Sequence, residues 1–206
     1  MKNKLKGLIL SLSALFFMAG INISYADTVH TVIRGDSMWK IAVKYQIGLS
    51  EIISANPHIK NPALIYPGDK ITIPQINDVK TLEQEVMRLV NIERSKQGLP
   101  ALSHNWELSR VARYKSQDMI NKNYFAHTSP TYGSPFDMMR NFGIRFSSAG
   151  ENIAYGQRTA QEVMNAWMNS PGHRKNILSP NYTQIGVGLA IKSNGTKYWT
   201  QMFIRP

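Results

Sequence analysis

Apolar positions fall into two blocks, residues 28–74 and 81–206, on either side of a short polar stretch at 75–80. In the first block, Thr28 to Ile33 is rich in β-branched residues and predicts a strand. Gly35-Asp36-Ser37 predicts a turn, with Asp36 or Ser37 as the N-cap of the helix that follows. That helix is read from Met38, Ile41, Ala42 and Tyr45, which recur at helical spacing. Ser50 is expected to cap a second short helix over Glu51 to Ala55. Asn56-Pro57 ends it, because proline disfavours helix at the residue before it. Pro67-Gly68-Asp69 is a turn, and Lys70 to Ile73 alternates as a strand. The order is strand, helix, helix, strand, with Trp39 expected in the core.

The second block is longer and mixed. Thr81 is expected to cap a helix whose apolar face is Leu82, Val86, Leu89 and Val90, ending at Gly98-Leu99-Pro100. A second helix is predicted over Trp106 to Ile120, burying Leu108, Val111, Ala112 and Met119. Two more are predicted over Pro135 to Phe142 and Ala160 to Asn169, the latter through Val163, Ala166 and Trp167. Ile185 to Ile191 and Tyr198 to Ile204 read as strands joined by the turn Ser193-Asn194-Gly195. Trp106, Trp167 and Trp199 are expected in the core. Helices with strands concentrated late predict an α+β sandwich. Gln75 to Lys80 is then a linker, too short to separate the two units far.

The N-terminus changes the setting. Lys2, Lys4 and Lys6 precede an apolar run from Leu8 to Ala19, and Ser24-Tyr25-Ala26 offers small residues at a cleavage site. This is the order of a signal peptide, residues 1–26, with the mature chain starting at Asp27. The apolar run is shorter than the roughly 20 residues of a spanning helix. A retained anchor is the alternative; after cleavage no stable membrane insertion is expected. The chain has no cysteine, so disulfides, thiolate chemistry and thioether lipidation are excluded. The net charge is +11. Without the three leader lysines it is +8, and residues 79–206 alone carry +8. Such a charge attracts anionic polymers, and for an exported chain a wall polymer suits better than nucleic acid. Solubility alone accounts for it equally well.

Residues 28–74 resemble the LysM family. The resemblance rests on His30-Thr31-Val32, Gly35-Asp36-Ser37-Met38-Trp39-Lys40-Ile41-Ala42, Tyr45, Asn56-Pro57, Ile65-Tyr66-Pro67-Gly68 and Ile71-Thr72-Ile73-Pro74. It implies binding of glycans containing N-acetylglucosamine, such as peptidoglycan. The implied groove has Gly35, Asp36, Ser37 and Met38 on one side and Leu64, Ile65 and Tyr66 on the other. Backbone groups there would bond the acetamido group, and apolar side chains would pack on the sugar face.

Residues 81–206 resemble the bacterial branch of the CAP superfamily, whose fold is an α-β-α sandwich. The motifs are Asn91, Arg94 and Gly98-Leu99-Pro100-Ala101-Leu102, then Phe125-Ala126-His127-Thr128-Ser129-Pro130, then Gly150-Glu151-Asn152-Ile153-Ala154. Trp167-Met168-Asn169-Ser170-Pro171-Gly172-His173-Arg174, Asn176-Ile177-Leu178, Gly186-Val187-Gly188 and Tyr198-Trp199-Thr200-Gln201 follow. Animal and plant members line a cleft with two histidines and two glutamates. His127, Glu151 and His173 match three of these, and Ser170 falls at the second glutamate position. Glu162, five residues before Trp167, is not that residue.

Two imidazoles and a carboxylate suit a divalent ion such as zinc, with water completing the shell. Some family members hold zinc through the two histidines, here His127 and His173. The trio also suits general acid–base work, or simply tying loops together. No cofactor is required by anything in the sequence. Ser170 lacks a Gly-x-Ser-x-Gly setting, and a glycosidase would need a second carboxylate beside Glu151. Tyr124, Phe125 and Tyr155 are candidates for the cleft mouth, and Arg174-Lys175 for an anionic ligand or a solvated helix end. The expectation is a wall-binding protein that presents a CAP domain in a scaffolding or spore-envelope role, with wall or envelope proteins as further partners. The alternative is a wall hydrolase targeted by LysM; a secreted protease is the weakest reading.

Overall fold

The computed structural model describes residues 28–206. The expected signal peptide lies outside them. Residues 28–73 form β1 (Thr28–Thr31), α1 (Met38–Tyr45), α2 (Leu49–Ala55) and β2 (Lys70–Ile73). The two strands pair antiparallel, with His30 opposite Ile71. Val32, Met38, Ile41, Ala42, Ile47, Ile52, Ile71 and Ile73 form the core of this unit. Ser37 caps α1 by accepting the Lys40 amide at 3.2 Å. Ser50 does not cap α2, because the helix starts one residue earlier with Gly48 at its N-cap. The Ser50 hydroxyl instead donates to Glu51 at 2.6 Å. Asn56 is buried, and its side chain bonds the Ile52 carbonyl and both the amide and carbonyl of Thr72. That side chain ties the end of α2 to β2.

The linker is shorter than its composition implies. Helix α3 runs from Asn77 to Lys96, so it begins four residues before Thr81, which is exposed inside it. Val79 joins Leu82 in packing against the core, so the apolar face extends back into the polar stretch. Asp78 in the first turn suits the positive end of the helix.

The remaining elements are β3 (Ser103–His104), α4 (Trp106–Asn121), α5 (Pro135–Asn141), β4 (Ser148–Tyr155), α6 (Ala160–Met168), α7 (Pro171–Ile177), β5 (Gln184–Ile191) and β6 (Lys197–Arg205). The sheet order is β3-β5-β6-β4. Helices α4 and α5 pack on one face through Leu108, Val111, Ala112, Met138 and Met139. Helices α3, α6 and α7 pack on the other through Val86, Val90, Val163, Trp167 and Ile177. This is an α+β sandwich, as expected. Trp167 and Trp199 are fully buried, but Trp106 is only partly so and Ala166 is exposed. Met164 takes the inward position on α6 instead.

Sheet edges expose unpaired backbone groups that must be satisfied. On the β4 edge, the alternate carbonyls of Ala149, Glu151 and Ile153 accept from Tyr182 Oη, Asn176 Nδ2 and Trp167 Nε1. On the β5 edge beyond short β3, the Val187 and Leu189 amides donate to Ser109 Oγ and Glu83 Oε1. Side chains thus close both edges. Glu83 also pairs with Arg113 at 2.8 Å, so this buried carboxylate has a cation beside it.

Helix α4 lies so close to β5 that a Cβ on Gly188 would run into the backbone of Ala112 and Arg113. Gly188→Ala is expected to destabilise the fold by roughly 1–3 kcal/mol through overpacking. Urea unfolding checks this, and an unchanged midpoint would show that α4 can move away freely.

Candidate functional site

Two regions carry candidate chemistry. In the first, Val32 just after β1 bonds the loop before β2. Its amide donates to Asp69 O and its carbonyl accepts from Gly68 N, both at 2.9 Å. The two expected walls of the glycan groove are therefore joined at their base. Gly35, at φ +93°, makes the turn of the first wall. Its carbonyl accepts from Lys40 Nζ at 2.6 Å. Leu64 and Tyr66 of the second wall are more than half exposed, while Ile65 packs against the core.

Two of the expected groove residues play other parts. Met38 is 3% exposed, so its side chain belongs to the core and only its backbone is on offer. Asp36 accepts from the Ile33 amide at 3.0 Å and the His30 Nε2 at 2.8 Å, so its carboxylate braces the turn. The Ile33 amide first, and His30 next, hold that carboxyl below its ordinary range. Ser37 is exposed, with its hydroxyl engaged in the cap. Trp39 is not core: it is 41% exposed, and its ring faces the Arg110 guanidinium of α4 at 4.8 Å. Arg110 is itself buried and also lies over Tyr114 and Phe142. The tryptophan is placed by this contact with the second unit.

The second region is built around β4. Glu151 points to the α4 face, its side chain 1% exposed, and its Oε1 lies 2.7 Å from His127 Nδ1. His127 stands on the loop between α4 and α5 with its ring more than half exposed. Lys115 of α4 holds that loop. It is fully buried, and its ammonium donates to the carbonyls of Ala126 and His127 and to Tyr124 Oη. Asp118, one turn further along α4, accepts the hydroxyls of Tyr124, Ser129 and Thr131, each at 2.7 Å. The next residue of β4, Asn152, faces the other side of the sheet. Its amide donates to His173 O and to Gln201 Oε1, and its oxygen accepts from Asn176. Adjacent residues of one edge strand thus position both histidines, one from each face.

The electrostatics follow from this geometry. The Glu151 hydrogen bond raises the His127 pKa above its ordinary value of 6.5, against some desolvation. Burial, and then the nearby His127, lower that of His173. Burial raises Glu151, opposed by His127 and Lys115. Burial also lowers Lys115, with Glu151 and Asp118 acting the other way. With a carboxylate on Nδ1, the His127 proton sits there, and Nε2 is left as a base or a metal donor.

The structure changes three parts of the expected site. Glu151 Oε1 is engaged by the His127 imidazole, and among the described residues its buried Oε2 has no hydrogen-bond partner. Among the described residues no group of three or more His, Cys, Asp or Glu converges as a metal-binding set. Ser170 precedes α7 with no capping hydrogen bond. Among the described residues no hydrogen bond links it to the trio. Tyr124 is not at the cleft mouth, because its hydroxyl is turned inward to Asp118 and burial pushes its pKa above the ordinary range. Phe125 and Tyr155 are exposed and in contact. Arg174 and Lys175 lie exposed on α7. Lys115, Asp118 and Asn176 were not singled out as site residues. A signal for Lys115 existed, since it continues the buried 108, 111, 112, 119 face of α4.

The profile of the cysteine-rich secretory protein family matches residues 87–203, more than half of the chain. The chain belongs to that family. The LysM domain profile matches residues 30–74, so a LysM module precedes this CAP domain. Uncharacterized protein YkwD of Bacillus subtilis (strain 168) is 59% identical over 128 residues, covering 62% of this chain and 49% of that protein. The chain spans about half or less of the length of the first curated relatives it matches. A crystal structure of an extracellular SCP-domain protein from Bacillus anthracis is 36% identical, with a TM-score of 0.58, covering 68% of this chain and 47% of that one. Spore coat assembly protein ExsA of Bacillus cereus is 44% identical across 46 residues, which is 22% of this chain and 7% of that protein.

The two CAP histidines should titrate in opposite directions from normal. His127 stabilises the fold below its unfolded pKa near 6.5, and that contribution is lost as pH rises through its raised folded value. His173, held low, opposes folding as pH falls below 6.5. In Glu151→Gln, the NMR midpoint of His127 is expected to fall; in His127→Ala, that of His173 is expected to rise. Midpoints that stay in place would show the rings to be uncoupled.

Proposed function

We propose that the protein is exported and binds the cell wall, its LysM module holding N-acetylglucosamine-containing glycan of peptidoglycan while the CAP domain is presented there. The observation that carries this is the pair of loops joined by Val32, Gly68 and Asp69, with Leu64 and Tyr66 exposed on one lip. The apolar lip suits the sugar face, and backbone groups of the Gly35–Ser37 turn would bond the acetamido group. Family membership and the +8 charge of residues 79–206 support an anionic wall as the setting. The ExsA match favours a spore envelope as the place, in a binding or scaffolding role with envelope proteins as partners.

A LysM-targeted hydrolase is supported by one observation: His127 has its Nδ1 held by a carboxylate, which leaves Nε2 without a hydrogen bond among the described residues. It lacks the second carboxylate that sugar cleavage would use. A divalent ion such as zinc would be held by His127 Nε2 and His173, with Glu151 fixing the His127 tautomer. Metal analysis of the protein beside His127→Ala and His173→Ala tests this site; equal content in all three removes it.

The wall reading is tested by co-sedimentation with purified peptidoglycan. Replacing both Leu64 and Tyr66 by alanine removes exposed side chains and should leave the fold intact. Binding is expected to weaken about tenfold, the effect of losing roughly 1.4 kcal/mol. Undiminished sedimentation would overturn the groove.

A further inference from the structure

The side chains that close the β5 edge stop short of its end. In an antiparallel pair the N–H and C=O of one residue point to the same side, and the side alternates along the strand. Val187 and Leu189 turn their amides outward, to Ser109 Oγ and Glu83 Oε1. Ile191 has the same parity, so its amide and carbonyl also point outward. Among the described residues neither group has a partner, nor has the Leu189 carbonyl. This end of the edge lies in a cleft of about 510 Å³ between the two modules. A cleft of that size at the junction of two units is suited to a ligand. One wall is α4, where Arg113 and Gln117 stand about one turn apart; the other is α2 of the LysM module, with Glu51 and Ser54. The Arg113 side chain is 9% exposed. Its Nε donates to Glu83, but its Nη1 is buried with no hydrogen-bond partner. A buried donor left unpaired is unfavourable, and an acceptor entering the cleft would pair it. On the other wall the Glu51 carboxylate accepts, among the described residues, only the Ser50 hydroxyl.

We propose that this inter-module cleft binds the carboxylate end of a short extended peptide, the stem peptide of the wall glycan. The free groups of Leu189 and Ile191 would pair with its main chain, as when a peptide adds a strand to a sheet edge. The edge offers only these few groups before the Glu83 cap, so a short terminus fits and a long strand does not. A peptide entering past Ile191 would end near Arg113, whose guanidinium suits a carboxylate. The amine of the diamino acid in a stem peptide would complement Glu51. The cleft is also joined to the glycan groove by direct contacts. Trp39 follows the groove wall Gly35–Met38, and its ring meets the Arg110 guanidinium. Arg110 also lies over Tyr114, which lines the cleft. The proposal rests on the reading that the LysM module brings the chain to peptidoglycan. Glycan in the groove and stem in the cleft would then bind the same polymer by avidity.

The test uses the full mature chain and the soluble stem pentapeptide of peptidoglycan, ending in D-alanyl-D-alanine, with affinity measured by calorimetry. Ile191→Pro removes the outward amide, at an edge where proline is tolerated. Its affinity is expected to fall about tenfold, while Ile191→Val keeps the amide and should keep the affinity. Ser54 is exposed on the cleft wall, so Ser54→Trp should fill the cleft and abolish binding. The same pentapeptide with an amidated C-terminus should bind about tenfold more weakly, having no carboxylate for Arg113. No binding of the pentapeptide, or equal affinity in Ile191→Pro and Ser54→Trp, overturns the cleft. An all-L peptide of the same length that binds as tightly overturns the stem assignment in favour of protein C-termini. Co-sedimentation with peptide-free glycan strands separates the two readings. Glycan still held by a chain that ignores the pentapeptide removes the cleft and leaves the LysM groove. Pentapeptide held by a chain that ignores the glycan supports the cleft and removes the groove. Circular dichroism of each variant separates loss of binding from loss of fold.

Discussion

Closure of the sheet's outer edge at β4 is the constraint on which the CAP domain depends. A strand at an edge has backbone groups on one side that no neighbour can pair, and this one is buried along most of its length. Unpaired buried carbonyls would each cost on the order of 1–3 kcal/mol. Tyr182, Asn176 and Trp167 remove that cost from three successive outward carbonyls. All three donors come from or after α6, so the helical layer must be in place before the strand is satisfied. The Trp-containing helix and the Asn176-Ile177-Leu178 segment are, in this light, parts of the sheet's hydrogen bonding.

The same closure sets the geometry of the site. Glu151 and Asn152 alternate across the closed strand, one toward each helical layer. Glu151 meets the His127 ring and Asn152 meets the His173 carbonyl, so the two histidine-bearing segments are anchored from opposite faces of one edge strand. Neither histidine could shift without breaking bonds that the fold itself needs. Lys115 adds to this rigidity. A buried ammonium is costly unless it is well bonded, and its three acceptors all lie on the Tyr124–His127 segment. Asp118 fixes the next part of that loop through three hydroxyls. The helix therefore supplies a cation and an anion, three residues apart, that together hold the loop bearing His127.

What could be read from the sequence follows from where periodicity survives. The long helices α3 and α4 and the strands β5 and β6 have regular apolar faces, and their positions were legible. Strand β4 was legible only as a motif, because Glu151 and Asn152 occupy buried positions and spoil the alternation. The short elements β3 and α7 have too few residues to show a period. The start of α3 was misplaced because Asn77, Asp78 and Lys80 look like linker, while Val79 alone carries the apolar signal. In the site, resemblance located His127, Glu151 and His173. It could not show that one carboxylate oxygen is held by the His127 imidazole, which is a matter of side-chain geometry.

Trp39 shows the limit of reading each module by itself. Within the LysM module it sits at a helix position that invites burial, yet its own core is already filled by Met38, Ile41 and Ala42. Arg110 is the counterpart on the CAP side. It is buried with its Nε unpaired, a position an arginine tolerates only where something stabilises its charge. The faces of Trp39, Tyr114 and Phe142 supply that stabilisation through cation–π contact. Trp39 is left exposed by the filled core of its own module, and it joins Tyr114 and Phe142 as a third ring over Arg110. Together with the Lys80 ammonium donating to the Tyr45 carbonyl, this makes the junction a packed contact rather than a tether. A glycan held in the LysM groove would then present its continuation to the CAP domain in a restricted set of directions.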